Sequence, residues 1–175
     1  MRGAGDRFSA RLTTGSARAT WLLGRRLGAA LQRGDVVALI GDLGSGKTQL
    51  VRGACAGAGV DPGDVSSPTF SIVQTYRGRV PFHHADLYRL ADLDELYATG
   101  FMDLLGGDGA LVVEWADKVK GWAPAERLEL RLEEAPRRPE VRRITITGTG
   151  PRHAALATVL AGKARARPKG RARMR

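Results

Sequence analysis

Cysteine and long apolar runs are both scarce in this sequence of 175 residues. Its single cysteine, Cys55, excludes an internal disulfide and favours a reducing compartment. No stretch approaches the roughly 18–20 consecutive apolar residues of a membrane span. Residues 1–6 also lack the apolar core of a signal peptide. We therefore expect a cytoplasmic protein that makes no contact with a membrane.

Histidine is scarce too, which limits the metal chemistry available to the chain. Of the three histidines, His83 and His84 are adjacent, so on a strand their side chains point to opposite faces. No other histidine or cysteine lies near this pair, which argues against a zinc site. We expect Cys55 to pack in a helix as a small hydrophobe. The residues expected to serve packing also include the three tryptophans, Trp21, Trp115 and Trp122.

Positive charge is concentrated at the C-terminus. The net charge is +10, and residues 162–175 hold seven basic residues and no acidic one. Subtracting these seven leaves +3 for residues 1–161, which is ordinary for a globular domain. The segment has no hydrophobic periodicity and cannot bury enough apolar surface to order itself. It is therefore either a solvated, disordered tail, which we expect, or an arm that contacts RNA.

The rest of the sequence alternates apolar segments with turns, as an α/β protein does. The full sequence, with 43% hydrophobic and 26% charged residues, fits one globular domain. Two wholly apolar runs, 36–40 and 110–113, are typical of strands buried on both faces of a parallel sheet. Alternating runs at 128–132 and 144–146 indicate antiparallel strands with one wet face. The other predicted elements are helices at 14–33 (capped by Thr13 or Thr14), 47–57 and 92–105, and a strand hairpin at 70–76 and 80–84.

A phosphate-binding pattern follows the first apolar run. Residues 41–48 read Gly-Asp-Leu-Gly-Ser-Gly-Lys-Thr, which satisfies the Walker A pattern G-x-x-x-x-G-K-[ST]. Glycines without Cβ atoms let the backbone aim its N–H groups at phosphates, and a helix N-terminus adds its dipole. Lys47 can reach the β- and γ-phosphates, and the Thr48 hydroxyl can bind Mg²⁺. The expected nucleotide-binding residues are Asp42, Leu43, Gly44, Ser45, Gly46, Lys47, Thr48 and Gln49.

A P-loop also needs an acidic side chain for the metal, usually at the end of a neighbouring apolar strand. Glu114 follows the apolar run 110–113, and Asp86 ends the less apolar run 81–85. Either carboxylate could face Mg²⁺ together with Thr48, and both are candidate catalytic residues.

These features together predict an α/β fold with a three-layer, P-loop NTPase-like domain over residues 1–150. Its sheet is expected to be mixed and mainly parallel, with antiparallel C-terminal strands. Residues 151–175 are assigned to the basic, disordered tail.

Four blocks of the sequence, taken in order, resemble one protein family. The blocks are Gly-Asp-Leu-Gly-Ser-Gly-Lys-Thr at 41–48, Ser-Pro-Thr-Phe at 67–70, His-Ala-Asp-Leu-Tyr-Arg-Leu at 84–90 and Glu-Trp at 114–115. This succession, over about residues 14–148, is similar to the TsaE (formerly YjeE) family of bacterial threonylcarbamoyladenosine biosynthesis ATPases. The chain has Ala85 where an aromatic residue is frequent and Ala116 where proline is common, and neither difference removes a polar group.

The resemblance implies a weak ATPase that uses ATP and Mg²⁺ to support the complex that forms threonylcarbamoyladenosine beside the tRNA anticodon. The implied partners are the proteins TsaD and TsaB, which perform the transfer, and tRNA is reached only through that complex. Lys47 and Thr48 would hold phosphate and magnesium, while Asp86 and Glu114 would serve the metal and hydrolysis. The implied nucleotide-sensing switch loop contains Ser67 and Thr69.

Three other functions are open to a chain with these motifs. A small-molecule kinase is the main alternative, but kinases usually carry an arginine-rich lid. No such lid is evident between the P-loop and Glu114, although Arg77, Arg79 and Arg89 lie there. A GTPase is disfavoured because no Asn-Lys-x-Asp motif occurs. An RNA-binding module acting through the tail would leave the P-loop unexplained, and the rest of the chain lacks a pattern of aromatic and basic residues for stacking on bases.

Truncating the chain at Gly162 is expected to leave ATP turnover unchanged, because the tail lies outside the predicted domain. Any RNA contact made by seven dispersed charges should be independent of RNA sequence and should weaken steeply with salt. Turnover and RNA affinity of the full and truncated chains, measured at two salt concentrations, check both statements. Loss of turnover on truncation would show that the tail belongs to the folded protein.

Overall fold

The computed structural model describes residues 6–61, 65 and 71–162. The strands in these ranges are β1 (Arg7–Thr14), β2 (Val36–Ile40), β3 (Val73–Tyr76), β4 (Phe82–Asp86), β5 (Ala110–Glu114), β6 (Leu128–Ala135) and β7 (Arg138–Thr149). The helices are α1 (Ala17–Ala30), α2 (Lys47–Gly57), α3 (Leu93–Ala98), a 3₁₀ helix (Phe101–Leu104) and α4 (Pro151–Ala161). None of these helices is long and apolar enough to cross a membrane.

All seven strands form one mixed sheet in the order β1-β7-β6-β2-β5-β4-β3. Parallel pairing joins the central strands β6, β2, β5 and β4, and antiparallel pairs flank them on both sides. The prediction of a mixed sheet with antiparallel C-terminal strands is therefore confirmed. In this register Asp86 of β4 lies beside Glu114 of β5, which lies beside Leu39 of β2. The carboxyl ends of three parallel strands thus meet at one edge.

Apolar side chains on both faces of the sheet give the predicted three layers. Helices α1, α2 and α4 cover one face, where Leu27, Leu50 and Leu160 are fully buried against the strands. On the other face, α3, the 3₁₀ helix and the segment around Trp122 cover β2, β4 and β5. Trp122 packs edge-on against Phe101 with ring centroids 5.2 Å apart, which confirms its predicted packing role.

The N-terminal elements differ from the prediction. The helix expected at 14–33 is the shorter α1, and its cap is Ser16, whose Oγ accepts a hydrogen bond from the amide of Ala19 at 3.1 Å. Thr13 and Thr14 were wrongly expected to cap it. They end β1 instead, because residues 7–14 pair antiparallel with β7 and their side chains alternate in exposure.

Two further boundaries are corrected. The domain was expected to end near residue 150, but α4 packs on β1 and β7, with Leu156 and Leu160 in the core. The domain therefore includes residues 151–161, and the remainder of the expected tail, 163–175, lies outside the described residues. The helix expected at 92–105 is interrupted at Gly100, whose φ of 73° is incompatible with continuing an α-helix.

A buried ionic cluster fixes α4 to the start of β2. Asp35 is 2% exposed and accepts hydrogen bonds from Arg152 Nε at 2.9 Å, Arg152 Nη2 at 2.6 Å and the amide of Gln32 at 2.8 Å. Burial lowers the pKa of the neighbouring His153 and so favours its neutral form. Its Nε2 can therefore accept a hydrogen bond from the amide of Val36, at 3.3 Å. The cluster lies at the amino end of β2, away from the loop that follows this strand.

Replacing Arg152 with alanine is expected to destabilise the fold, because it leaves the buried Asp35 carboxylate without its ionic partner. Loss of that partner costs about 2 kcal/mol, or about 6 °C in melting temperature for a chain of this size. Arg33→Ala is the matched control, since Arg33 and Asp108 form an ion pair with side chains 58% and 94% exposed and should contribute less than about 0.5 kcal/mol. Equal melting temperatures for the two variants would contradict the assigned role of the cluster.

Candidate functional site

The shape of the loop between β2 and α2 depends on backbone conformations and close approaches that favour glycine. Gly46, immediately before α2, has a φ of 99°, and Gly44 has a φ of 77°, conformations that favour glycine. At Gly41 a Cβ would lie 2.4 Å from the carbonyl oxygen of Leu132, so that position admits no side chain. Residues 41–46 therefore turn sharply from the buried strand into the helix.

The N-terminus of α2 is open to an anion. Its cap residue, Gly46, has no side chain to satisfy the first amides, and the first turn of the helix contains no acidic residue. The first N–H groups of the helix and the positive end of its dipole are therefore without a local negative charge to compensate them. This arrangement favours a phosphate group at that position.

Lys47 is held among backbone oxygens and an aromatic ring. It is 4% exposed, and its Nζ donates to the carbonyl oxygens of Gly41 at 2.5 Å and Asp42 at 2.9 Å. The same ammonium lies 3.9 Å from the ring centroid of Trp115, a cation–π contact. Burial lowers the pKa of Lys47, and nearby carboxylates, Glu114 foremost, oppose that shift. The positive charge is thus kept next to the open helix terminus.

A hydrogen-bond chain links Thr48 to β4 through Glu114. The Thr48 Oγ1 donates to Oε2 of Glu114 at 3.0 Å, and Oε1 of the same carboxylate lies 2.9 Å from Nε2 of His84. Glu114 and His84 are 3% and 2% exposed, so bulk water does not compete for these groups. The carboxylate is therefore held in one orientation, facing the first turn of α2.

Asp86 is the second carboxylate at this edge of the sheet. It lies in register with Glu114, is less deeply buried, and accepts the amide of Tyr88 at 2.9 Å through Oδ1. Asp86, Glu114, Lys47 and Thr48 line one cavity of about 320 Å³. The other lining residues are Leu43, Gly44, Ser45, Gly46, Gln49, Tyr88 and Trp115.

The structure brings almost all of the predicted site residues together. Residues 43–49 line the 320 Å³ cavity with both carboxylates, and Asp42 lines an adjoining cavity of about 710 Å³. The two cavities share Leu43, Ser45 and Trp115. The predicted switch residues Ser67 and Thr69 lie outside the described residues.

Sequence reasoning missed three contributors to this site. Trp115 was expected to serve packing alone, but it lines both cavities, and its ring lies 3.9 Å from the Lys47 ammonium. Its backbone has a φ of 55°. The Tyr88 ring lies 4.9 Å from that of Trp115, and His84 holds the catalytic candidate Glu114. All three lie within two positions of a predicted carboxylate, and that proximity is the signal by which they could have been found.

The remaining predictions for individual residues concern packing and metals. Cys55 is fully buried in α2, and burial raises the pKa of its thiol to about 12, so it packs as predicted. His83 and His84 do separate: His83 Nδ1 pairs with the Thr75 hydroxyl at 2.8 Å, away from Glu114. In the part of the chain that the structure describes, no group of three or more histidine, cysteine, aspartate and glutamate side chains could hold a metal.

A buried parallel strand, a glycine loop, a helix beginning Lys-Thr and a carboxylate on the adjacent strand define a P-loop NTPase-like α/β protein. The family model described as threonylcarbamoyl adenosine biosynthesis protein TsaE matches residues 14–144. The chain belongs to the TsaE family.

Individual relatives are similar to this protein over most of its chain. It is 43% identical over 147 residues to the tRNA threonylcarbamoyladenosine biosynthesis protein TsaE of Streptomyces coelicolor, covering 80% of this chain and 98% of that protein. It is 35% identical over 122 residues to the protein of the same name from Treponema pallidum, covering 70% and 90%. The crystal structure of Bacillus subtilis YdiB is similar with a TM-score of 0.73 and 29% identity, covering 89% of this chain and 96% of YdiB.

Proposed function

We propose that this protein binds and hydrolyses ATP with Mg²⁺ and thereby supports formation of threonylcarbamoyladenosine in tRNA beside the anticodon. One observation carries the proposal: an open helix N-terminus, Lys47 and the Thr48–Glu114 pair line the same cavity. The pathway is supported by family membership and by the names of the relatives.

The phosphate chain of ATP would lie against the first turn of α2. The uncapped amides there favour an anion, and Lys47 adds a positive charge beside them. In the described structure the Lys47 ammonium bonds to the carbonyl oxygens of its own loop and stacks on Trp115. Turning toward a phosphate would exchange these contacts for stronger charge-assisted hydrogen bonds.

The residues around Thr48 fit Mg²⁺ chemically. One hydroxyl and two carboxylates supply the hard oxygen donors that this ion prefers. When bound, the ion would neutralise charge on the phosphate oxygens. Because Glu114 is hydrogen-bonded to Thr48, these two residues would together hold the Mg²⁺ ion. Asp86 is less buried and can be reached by water, so it would orient or deprotonate the attacking water molecule.

Hydrolysis is favoured over transfer to a small-molecule acceptor. The described lining of the 320 Å³ cavity includes no arginine, whereas kinases usually place arginines over the transferred phosphoryl group. Arg79, one of three candidates for such a lid, instead caps α1, donating to the carbonyl oxygen of Leu31 at 2.8 Å. ATP is favoured over GTP because the sequence contains no asparagine and hence no Asn-Lys-x-Asp motif.

The proposed partners are TsaD and TsaB, with tRNA reached through their complex. Family membership supports this assignment, since the family is named for the biosynthesis of threonylcarbamoyladenosine.

Replacing either carboxylate by its amide should abolish most ATP hydrolysis while preserving the melting temperature, because size is kept and charge is lost. Catalytic groups of this kind contribute about 10²–10⁴-fold, so Asp86→Asn and Glu114→Gln should each lose turnover by that order. Glu114→Gln should also raise the Mg²⁺ concentration needed for half-maximal turnover, and Asp86→Asn should leave it unchanged. Turnover is measured against Mg²⁺ concentration with TsaD and TsaB present.

Matched controls are Asp108→Asn and Glu140→Gln, whose side chains are 94% and 55% exposed and lie outside both cavities. Both should hydrolyse ATP at the wild-type rate. If Asp86→Asn and Glu114→Gln also hydrolyse ATP at the wild-type rate, the two carboxylates have no role in hydrolysis and the proposed site is wrong.

A further inference from the structure

Arg142 reaches from β7 to the loop that begins α2. Its Nε donates to the carbonyl oxygen of Ser45 at 2.9 Å, and its Nη2 donates to that of Gly44 at 3.0 Å. Its Nη1 donates to the carbonyl oxygens of Val141, at 3.1 Å, and Pro139. One planar guanidinium therefore joins two consecutive loop residues to the β6–β7 hairpin.

The contact with Ser45 controls a peptide group at the helix terminus. In a trans peptide the C=O and the following N–H point in opposite directions. Holding the Ser45 oxygen toward Arg142 therefore directs the Gly46 N–H away from β7. Within the loop the amide of Ser45 is itself fixed on the carbonyl oxygen of Asp42 at 3.1 Å. The orientation of Gly46 N–H is thus set from outside the loop.

Arg142 does this without entering the site. It is half-buried and lines neither the 320 Å³ nor the 710 Å³ cavity, whereas the adjacent Arg143 lines the larger one. Within the described ranges Arg142 forms no ion pair, and its hydrogen-bond acceptors are all backbone carbonyl oxygens. Its N–H groups therefore donate to the loop and the hairpin, and none of them is paired with a carboxylate of the described residues.

The hairpin that carries Arg142 is itself irregular at this point. In register Arg142 faces Glu134 of β6, next to an irregularity between Glu134 and Ala135. Residues 131–134 and Pro136 of the hairpin line the 710 Å³ cavity together with Gly41, Asp42 and Ser45 of the loop. The hairpin and the phosphate-binding loop therefore line the same cavity, and the hydrogen bonds of Arg142 join them.

We propose that Arg142 is a positioning residue, which holds the loop at residues 44–46 in the shape that receives the phosphates without touching the nucleotide. The proposal rests on the proposed binding of ATP. The guanidinium fork is needed for two adjacent carbonyl oxygens, so lysine, which keeps the charge as a single ammonium, should replace it only in part.

The test compares Arg142→Ala and Arg142→Lys with Arg138→Ala in the full chain. Arg138 is an arginine of the same hairpin whose side chain is 70% exposed and pairs only with Glu140 among the described residues. Affinity for Mg·ATP is measured by calorimetry, and hydrogen exchange of the peptide covering residues 41–48 is measured without nucleotide. Arg142→Ala should bind Mg·ATP roughly 10- to 100-fold more weakly, since affinity falls in proportion to the fraction of molecules whose loop has the binding-competent shape. Arg142→Lys should be intermediate and Arg138→Ala unchanged.

Hydrogen exchange separates the failure of this proposal from the failure of ATP binding. The peptide at 41–48 should exchange faster in both Arg142 variants, while peptides from β1 and α4 keep wild-type rates. Wild-type exchange at 41–48, wild-type Mg·ATP affinity in Arg142→Ala, or faster exchange spread over the whole sheet would overturn the positioning role. If the wild-type protein does not bind Mg·ATP, the proposed function fails, and exchange at 41–48 alone decides whether Arg142 holds the loop. Arg142→Lys keeps the comparison valid if the alanine variant does not fold.

Discussion

Parallel pairing of β2, β5 and β4 aligns three strand ends at one edge of the sheet, and the positions of all the site residues depend on this alignment. β2 runs into the glycine loop, β5 ends at Glu114 and β4 ends at Asp86. Because the backbone ladder fixes the register, Glu114 reaches Thr48 on the first turn of α2 with a hydrogen bond of 3.0 Å. A shift of one residue in β5 would turn Glu114 to the opposite face of the sheet.

Opposite charges face one another at this edge of the sheet before any ligand binds. Desolvation of Lys47 lowers its pKa, and the carboxylates Glu114 and Asp86 oppose that effect. The backbone of Trp115 adopts a positive φ of 55°, which is unusual for a non-glycine residue, and its ring lies over the ammonium. Thr48 and Glu114 are therefore already paired at this edge, whereas Lys47 would have to leave its loop carbonyl oxygens to reach a phosphate group.

The features of the site that the sequence predicts are formed by residues close to one another in the chain. Residues 41–48 form a loop whose glycines and Lys-Thr pair are consecutive, and Glu114 ends a wholly apolar run that marks a buried strand. The contacts it missed join distant residues: His84 to Glu114 across 30 positions, and Arg142 to Ser45 across 97. For the same reason β1 and α4 were not predicted, since β1 needs β7 as its partner and α4 is held by packing on the sheet.

Calorimetry on Lys47→Ala tests most directly whether this edge of the sheet binds the phosphates of Mg·ATP, as we propose. The lysine makes a charge-assisted contact worth about 1.5–3 kcal/mol, so the variant should bind Mg·ATP at least about tenfold more weakly than the wild type. Lys120→Ala, which removes an exposed lysine outside both cavities, should bind with wild-type affinity. Unchanged affinity in Lys47→Ala would contradict the assignment of the loop as a phosphate-binding site.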